Sequence, residues 1–181
     1  MKDVRIGIVG YGTVGRGTAE AIAANSDEIA ARTGARLRVS AVSRRTPMTA
    51  PDGARVFTDW KELVSSPDVD VVVETVGGTT TALDIVRRAL ELGKPVVTAN
   101  KNLMANHGEA IFALALQKNV PVGIEASVAG AVPIIRVLAE AISGDRLKAL
   151  RGILNGTSNY ILTRMELDEL GFDEEIGRAH V

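Results

Sequence analysis

The chain contains no cysteine. Disulfides, thiolate metal ligands and a cysteine nucleophile are therefore excluded. Aromatic residues are only 3% of the sequence, so the core must be aliphatic and platforms for stacking nucleic-acid bases are scarce. An excess of charge is lacking too. The formal net charge is −1, which gives no electrostatic case for a polyanion or an anionic membrane surface. No apolar run is long enough to span a bilayer. Strand-like sequence begins almost at once after Met1, which leaves no room for a signal or transit peptide. Aliphatic and small residues are what the chain has instead: 46% of its 181 residues are hydrophobic, enough for the core of one domain, or of one and part of another. The expectation is a cytoplasmic protein with neither nucleic acid nor membrane as partner.

The chain is organised around Val4-Arg5-Ile6-Gly7-Ile8-Val9-Gly10-Tyr11-Gly12-Thr13-Val14-Gly15. Val4, Ile6, Ile8 and Val9 read as a strand, with Gly7 a weak spot inside it. A G-x-G-x-x-G follows, and a helix-like stretch comes directly after. In that context Gly10 permits a tight turn, Gly12 leaves the backbone open to a pyrophosphate, and Gly15 lets the helix pack close to the strand. The helix start, Thr13 and Val14, offers free N–H groups and a positive dipole end. Glycines also make ordinary strand–helix turns, but a strand before and a helix after favour dinucleotide binding, with Gly10, Tyr11, Gly12, Thr13, Val14 and Gly15 as cofactor-binding residues.

The helix is expected from Val14 to Arg32, with Gly34 in the left-handed position after it. A strand over Leu37–Ser43 ends in Arg44-Arg45. In a Rossmann unit a carboxylate at this point accepts from the ribose 2′-hydroxyl, whereas arginine pairs with a 2′-phosphate. Arg44 and Arg45 therefore lean toward NADP(H) over NAD(H), although a solvated arginine pair reads equally well. Residues 46–56 hold Pro47, Pro51 and Gly53 and read as a loop, and Asp59 caps a short helix through Ser65. Val69–Glu74 is a buried parallel strand, with Thr75 and Gly77 at its carboxyl end, where open α/β sheets bind ligands. A helix from Thr80 to Leu92 leads to a strand over Val96–Ala99 that ends in Asn100-Lys101. Lys101 there either reaches the same cleft or is a surface lysine. A helix over Gly108–Lys118 and a strand over Val120–Ser127 follow. Glu125, beside an apolar run, needs a cation, backbone N–H groups or water as partner. Pro133 opens a helix through Ile142. Leu147–Leu154 reads as a strand and Asn159–Leu167 as a helix, plausible as the start of a second, α+β domain. The alternation up to Ser127 indicates a doubly wound, Rossmann-like parallel sheet.

Several stretches together resemble homoserine dehydrogenase. They are Gly-Tyr-Gly-Thr-Val-Gly at 10–15, Thr-Ala-Asn-Lys at 98–101, Glu-Ala-Ser-Val-Ala-Gly-Ala-Val-Pro-Ile-Ile at 125–135 and Gly-Ile-Leu-Asn-Gly-Thr-Ser-Asn-Tyr-Ile-Leu-Thr at 152–163. The first is generic. The last two, in this order, are specific and carry the resemblance along nearly the whole chain. The resemblance implies NAD(P)H-dependent, reversible reduction of L-aspartate 4-semialdehyde to L-homoserine, on the route to threonine and methionine. It implies that Lys101 lies near the nicotinamide and the substrate. It implies a monovalent cation site, usually sodium, formed by Glu125 and the carbonyls of Val128, Gly130 and Val132. Ala131 stands where the family often has another glycine. The full-length protein is expected to be a homodimer or homotetramer.

One departure is an absence. The family's substrate carboxylates and proton-donating lysine have no matching positions here. The organisation expected is therefore a nucleotide domain at 1–132, the start of a substrate domain at 133–175, and an artificial tail at 176–181. Ile-Gly-Arg-Ala-His-Val there is one reading frame of a common sequencing-adapter stretch, so His180 would carry no function. The chain as given is expected to be an inactive fragment. The alternatives are another dehydrogenase on the same nucleotide domain, such as one acting on aspartate, and a non-catalytic NADP-sensing module.

Overall fold

Residues 1–44, 46, 51, 53–130, 132–152, 156–168 and 171 are described by a computed structural model. Contacts divide the chain into two units, Met1–Ser127 and Val128–Val181. The first unit is a six-stranded sheet, all of whose neighbours pair in parallel, in the order β3-β2-β1-β4-β5-β6. Its strands are β1 (Lys2–Val9), β2 (Ala35–Ser43), β3 (Arg55–Phe57), β4 (Val71–Glu74), β5 (Val96–Thr98) and β6 (Val122–Gly123). The helices between them are α1 (Thr13–Ala24), α2 (Ser26–Thr33), α3 (Trp60–Ser65), α4 (Thr80–Glu91) and α5 (Lys101–Lys118). The strand order reverses direction between β1 and β4. That is the switch point beside which a doubly wound sheet leaves a crevice at its carboxyl edge.

Apolar residues on the two faces of this sheet form two cores. Ile6, Ile8, Val39, Val42 and Val73 pack with Ala19 of α1, while Val9, Ala41 and Val72 pack with buried residues of α3, α4 and α5. The alternation of Ile8 with Val9 and of Val73 with Val72 is the period-two rule of a strand covered on both sides. Gly7 has a packing reason: a Cβ there would lie 2.7 Å from Val69 Cγ1 and 2.8 Å from Leu63 Cδ2. At the opposite edge of the sheet, Arg5 binds Asp70 through Nε at 2.9 Å and a terminal nitrogen at 2.7 Å, and its backbone N–H donates to the same carboxylate at 2.8 Å.

The structure differs from the sequence expectations at six places. The helix expected over 14–32 is two helices, because the Asn25 side chain donates to the Ala21 carbonyl at 2.8 Å and the chain leaves helical geometry there. The expected loop 46–56 ends in a strand, since Val42 and Ser43 of β2 pair with Val56 and Phe57. Helix α5 starts at Lys101 rather than Gly108, because Asn100 Oδ1 accepts from the Leu103 N–H at 3.0 Å and caps it. The strand expected over 120–127 shrinks to β6, and Glu125–Ser127 is a 3₁₀ turn closed by Ser127 N–H to the Ile124 carbonyl at 2.8 Å.

The last two differences lie in the second unit. A short helix, α6 (Ile134–Arg136), passes into a π-helical stretch over Val137–Ala141 instead of running evenly to Ile142. Residues 147–152 form no strand, because apolar content without a paired neighbour satisfies no backbone groups; Ile153 and Leu154 lie outside the described residues. Helix α7 (Gly156–Asp168) carries an ion pair between Arg164 and Asp168 and exposes Leu162 and Leu167.

Candidate functional site

The carboxyl ends of β1, β2, β4 and β5 are built as one edge. The Ser43 carbonyl, ending β2, accepts from the N–H groups of Gly10 and Tyr11, both at 3.1 Å. Thr75, after β4, binds the Val9 carbonyl through its N–H at 2.9 Å and donates from Oγ1 to the Gly10 carbonyl at 2.7 Å. The glycine turn is thus tied to strands on either side of β1.

The three motif glycines do three different things. Gly10 has φ +96°, and a Cβ on it would lie 2.7 Å from the Thr75 backbone. A Cβ on Gly15 would lie 2.5 Å from the Gly10 carbonyl oxygen. Around Gly12 nothing comes within 4 Å of such an atom, so the absent side chain there faces open space. Gly12 is also the N-cap of α1 and provides no side-chain cap. The first N–H groups of α1, at Thr13, Val14 and Gly15, are therefore those that an α-helix leaves without an internal partner. An anionic group approaching over Gly12 meets them directly.

Two adjoining clefts run along this edge. One, of about 530 Å³, extends from Arg44, Thr46 and Trp60 across Gly10 and Gly12 to Thr75 and Gly77. The second, of about 310 Å³, shares Thr75 and Gly77 and continues past Val14 to Asn100 and Lys101. Together they cross the switch point from the end of β2 to the start of α5. Among the described residues neither is lined by a carboxylate, and helices α1, α4 and α5, which begin here, have no acidic residue in their first turns. By contrast α2 carries Asp27 and Glu28 in its first turn. Acidic residues stabilise helix starts, so their absence at the starts of α1, α4 and α5 keeps the potential around the glycine turn and the start of α5 favourable to an anion. Helix α3, which begins after β3 beside Thr58 and Trp60, differs: it carries Asp59 as its N-cap and Glu62 in its first turn.

Lys101 sharpens the point. It is exposed at the first position of α5, where its charge opposes the helix dipole. That placement is unfavourable for the helix and puts a lysine at the lining of the second cleft. Val14 is another large side chain left in the open, 55% exposed at the start of α1. Tyr11 is buried among the residues packed under α1, so it meets the cleft from within the fold. Arg44 is exposed at the cleft's far end and Thr75 and Gly77 at its centre; Arg45 lies outside the described residues.

Of the residues expected to hold a cation, Glu125 is half-buried in the 3₁₀ turn that ends the first unit. Val128, Gly130 and Val132 belong to the second unit, where the Val132 carbonyl accepts from the Ile134 N–H at 2.8 Å. Ala131, Asn155 and residues 172–181, including His180, lie outside the described residues. Among the described residues no group of three or more His, Asp or Glu side chains converges, and no helix is long and apolar enough to cross a membrane.

Sequence reasoning missed Glu74. It is fully buried at the end of β4, with Oε1 accepting from the Val76 N–H at 2.7 Å and Oε2 from Thr98 Oγ1 at 2.6 Å. The available signal was a carboxylate closing an all-valine strand, with Thr98 closing the next; the two are in register.

A family model described as "Homoserine dehydrogenase, NAD binding domain" matches residues 10–125, and one described as "Homoserine dehydrogenase" matches residues 133–181. The second match includes the six residues that sequence analysis set apart. Over 183 residues the chain is 47% identical to a homoserine dehydrogenase of Neisseria gonorrhoeae, and over 181 residues 44% identical to one of Pseudomonas aeruginosa. Each alignment covers 99% of this chain and 42% of the relative, so the chain spans about two-fifths of their length. A homoserine dehydrogenase structure from Thiobacillus denitrificans superposes with TM-score 0.91 at 41% identity, over 99% of this chain and 42% of that one. A hyperthermophilic archaeal homoserine dehydrogenase in complex with NADPH superposes with TM-score 0.80 at 28% identity, over 98% and 60%.

Proposed function

We propose, from the premise that this chain belongs to the homoserine dehydrogenase family, that it forms the nucleotide-binding part of an enzyme reducing L-aspartate 4-semialdehyde to L-homoserine. Its first unit has the fold and the open glycine turn of a nicotinamide-cofactor site. A reduced nicotinamide bound there supplies the hydride. Residues of the chain do the rest of what this part contributes. Gly12 and the start of α1 receive the pyrophosphate, Thr75 borders its path, Gly77 flanks the nicotinamide, and Lys101 presents a positive charge where the nicotinamide and the substrate meet. The observation that carries this reading is Lys101 at the first turn of α5, on the same edge as the glycine turn and against its helix's dipole.

The preferred cofactor in this reading is NADPH. Support comes from Arg44 beside the end of β2, from a cleft with no carboxylate among its described lining residues to accept a ribose hydroxyl, and from a related structure that holds NADPH. We also read Glu125, with the carbonyls of Val128, Gly130 and Val132, as a sodium site in the complete protein, because one carboxylate with several carbonyls suits a hard cation. That reading, and a homodimeric or homotetrameric assembly, rest on the family resemblance. So does the reading of 133–175 as the start of a substrate domain, whereas the reading of 176–181 as foreign to it rests on the adapter-like reading frame of Ile-Gly-Arg-Ala-His-Val.

The test is a paired assay following NADPH oxidation with aspartate semialdehyde, on the 181-residue chain and on a protein extended to the length of its relatives. The extended protein should turn over and the chain alone should not. Catalysis needs a substrate held in near-attack geometry and a proton donor for the carbonyl oxygen, and the family's groups for this have no matching positions in the chain. Equal turnover in the two, or none in the extended protein, would overturn the reading.

A further inference from the structure

Glu74 is fully buried and ends β4 one residue before the cleft. Its carboxylate accepts from two neutral donors, the Val76 N–H and the Thr98 hydroxyl. A buried carboxylate is costly unless hydrogen-bonded, so this one binds tightly whatever donors it meets. The Thr98 hydroxyl passes the connection on, accepting from the Asn100 N–H at 3.0 Å. Asn100 then divides its amide between two tasks: Oδ1 caps α5 at Leu103, and Nδ2 donates to the Gly78 carbonyl at 2.6 Å. Ser127 Oγ donates to the Thr98 carbonyl at 2.8 Å and fixes β5 from the other side.

The chain of bonds therefore closes a ring. It runs from Glu74 through Thr98 and Asn100 to Gly78, and Gly78 rejoins Glu74 through the loop containing Val76. What it encloses is the β4–α4 loop on one side and the first turn of α5, with Lys101, on the other. Gly77 and Gly78 both have positive φ, +78° and +70°. Such glycines give a loop many alternatives in the absence of a tether, and the Asn100 amide is that tether.

We propose that the Glu74–Thr98–Asn100 relay is a positioning device for the nicotinamide half of the cofactor, holding the Gly77-Gly78 loop and Lys101 at a fixed separation. The pyrophosphate and adenosine half lies outside its reach, since the glycine turn is held instead by Ser43 and Thr75. The proposal rests on the cofactor reading above and adds Glu74 and Thr98, which reach the cofactor only through others, with Asn100, which lines the second cleft, as the link to it.

The test compares two ligands on the 181-residue chain: NADPH, and 2′-phospho-ADP-ribose, which lacks the nicotinamide. Thr98→Val removes the relay's centre. Asn100→Ser keeps a capping oxygen but removes the amide that holds Gly78, and because Asn100 is only half-buried it does not endanger folding. Both variants should weaken NADPH about tenfold, the effect of one lost hydrogen bond, and change 2′-phospho-ADP-ribose less than about twofold. Thr98→Ser, which keeps the hydroxyl, should restore NADPH affinity. Equal losses for both ligands would make the relay merely structural, and unchanged NADPH affinity in Asn100→Ser would remove its role. Failure of the unaltered chain to bind either ligand would instead sink the cofactor reading on which the relay depends.

Discussion

Gly12→Ala and Gly15→Ala are the same chemical change three residues apart, and they should fail in opposite ways. At Gly15 the new methyl carbon would stand 2.5 Å from the Gly10 carbonyl oxygen, with Thr75 Oγ1 at 3.0 Å and Ile8 Cγ2 at 3.1 Å. Ordinary contact begins at 3.4 Å, so relief requires about 0.9 Å of movement, 3.4 less 2.5, against backbone rather than a flexible side chain. A gap of roughly 0.5–1 Å forfeits a quarter to a half of each dispersion contact that it opens. Over the contacts of α1 with Ile6, Ile8 and Val42, overpacking of this kind costs about 1–3 kcal/mol. For a domain of this size that lowers Tm by roughly 3–12 °C.

At Gly12 no atom lies within 4 Å of the new methyl group. Stability should therefore stay within about 0.5 kcal/mol of the parent. The methyl group would, however, occupy the approach to the first N–H groups of α1, and NADPH affinity should fall by an order of magnitude or more, about 1.4 kcal/mol per factor of ten. Thermal unfolding and calorimetric titration with NADPH on the two variants separate the effects. Gly12→Ala with normal NADPH affinity, or Gly15→Ala with an unchanged Tm, would refute the division of labour assigned to these glycines.

Arg44→Ala should weaken NADPH by about five- to tenfold, the size of one screened hydrogen bond to a charged group, while leaving NADH unchanged; equal affinity of the parent for the two cofactors would remove the preference. Lys101→Glu should stabilise the first unit by about 1 kcal/mol, since it replaces an unfavourable charge at a helix start with a favourable one, yet reduce NADPH affinity; a lowered Tm would contradict the electrostatic reading of that position. Acid should act through Asp70, whose carboxyl is held down at about 2 from the usual 3.8 by its hydrogen bond to the Arg5 guanidinium. A depressed carboxylate stabilises the fold above its unfolded value, and that stability is lost as pH falls from about 4 toward 2. Asp70→Asn should therefore lose less Tm than the parent over that interval, and parallel curves for the two would assign the acid sensitivity elsewhere.

The parallel sheet and the glycine turn were legible because their signals are local. Buried strands read as valine and isoleucine runs, and Gly10, Gly12 and Gly15 stand at fixed spacing after one of them. Errors came where a neighbour decides. The strand Arg55–Phe57 exists because β2 offers it an edge, and residues 147–152 look like a strand but pair with nothing among the described residues. Helix α5 was started seven residues late because Gly108 read as its beginning, although the Asn100 cap lies next to the motif already noted. The Glu74 relay was illegible for a stronger reason: its members are distant in sequence and meet only through the register of β4 against β5. Lys101 was visible as a candidate, but its conflict with the α5 dipole appears only once the helix start is known.

The central claim is that a nicotinamide dinucleotide lies along the carboxyl edge of this sheet, across the switch between β1 and β4. A crystal structure of the chain grown with NADPH tests it most directly. The account predicts the pyrophosphate over Gly12 within hydrogen-bonding distance of the first N–H groups of α1, the 2′-phosphate at Arg44, and the nicotinamide between Gly77 and Lys101. A dinucleotide found instead in the hollow formed by Thr18, Ile22, Ile29 and Arg32 on α1 and α2, or lying across the edge with its nicotinamide at Arg44, would contradict it.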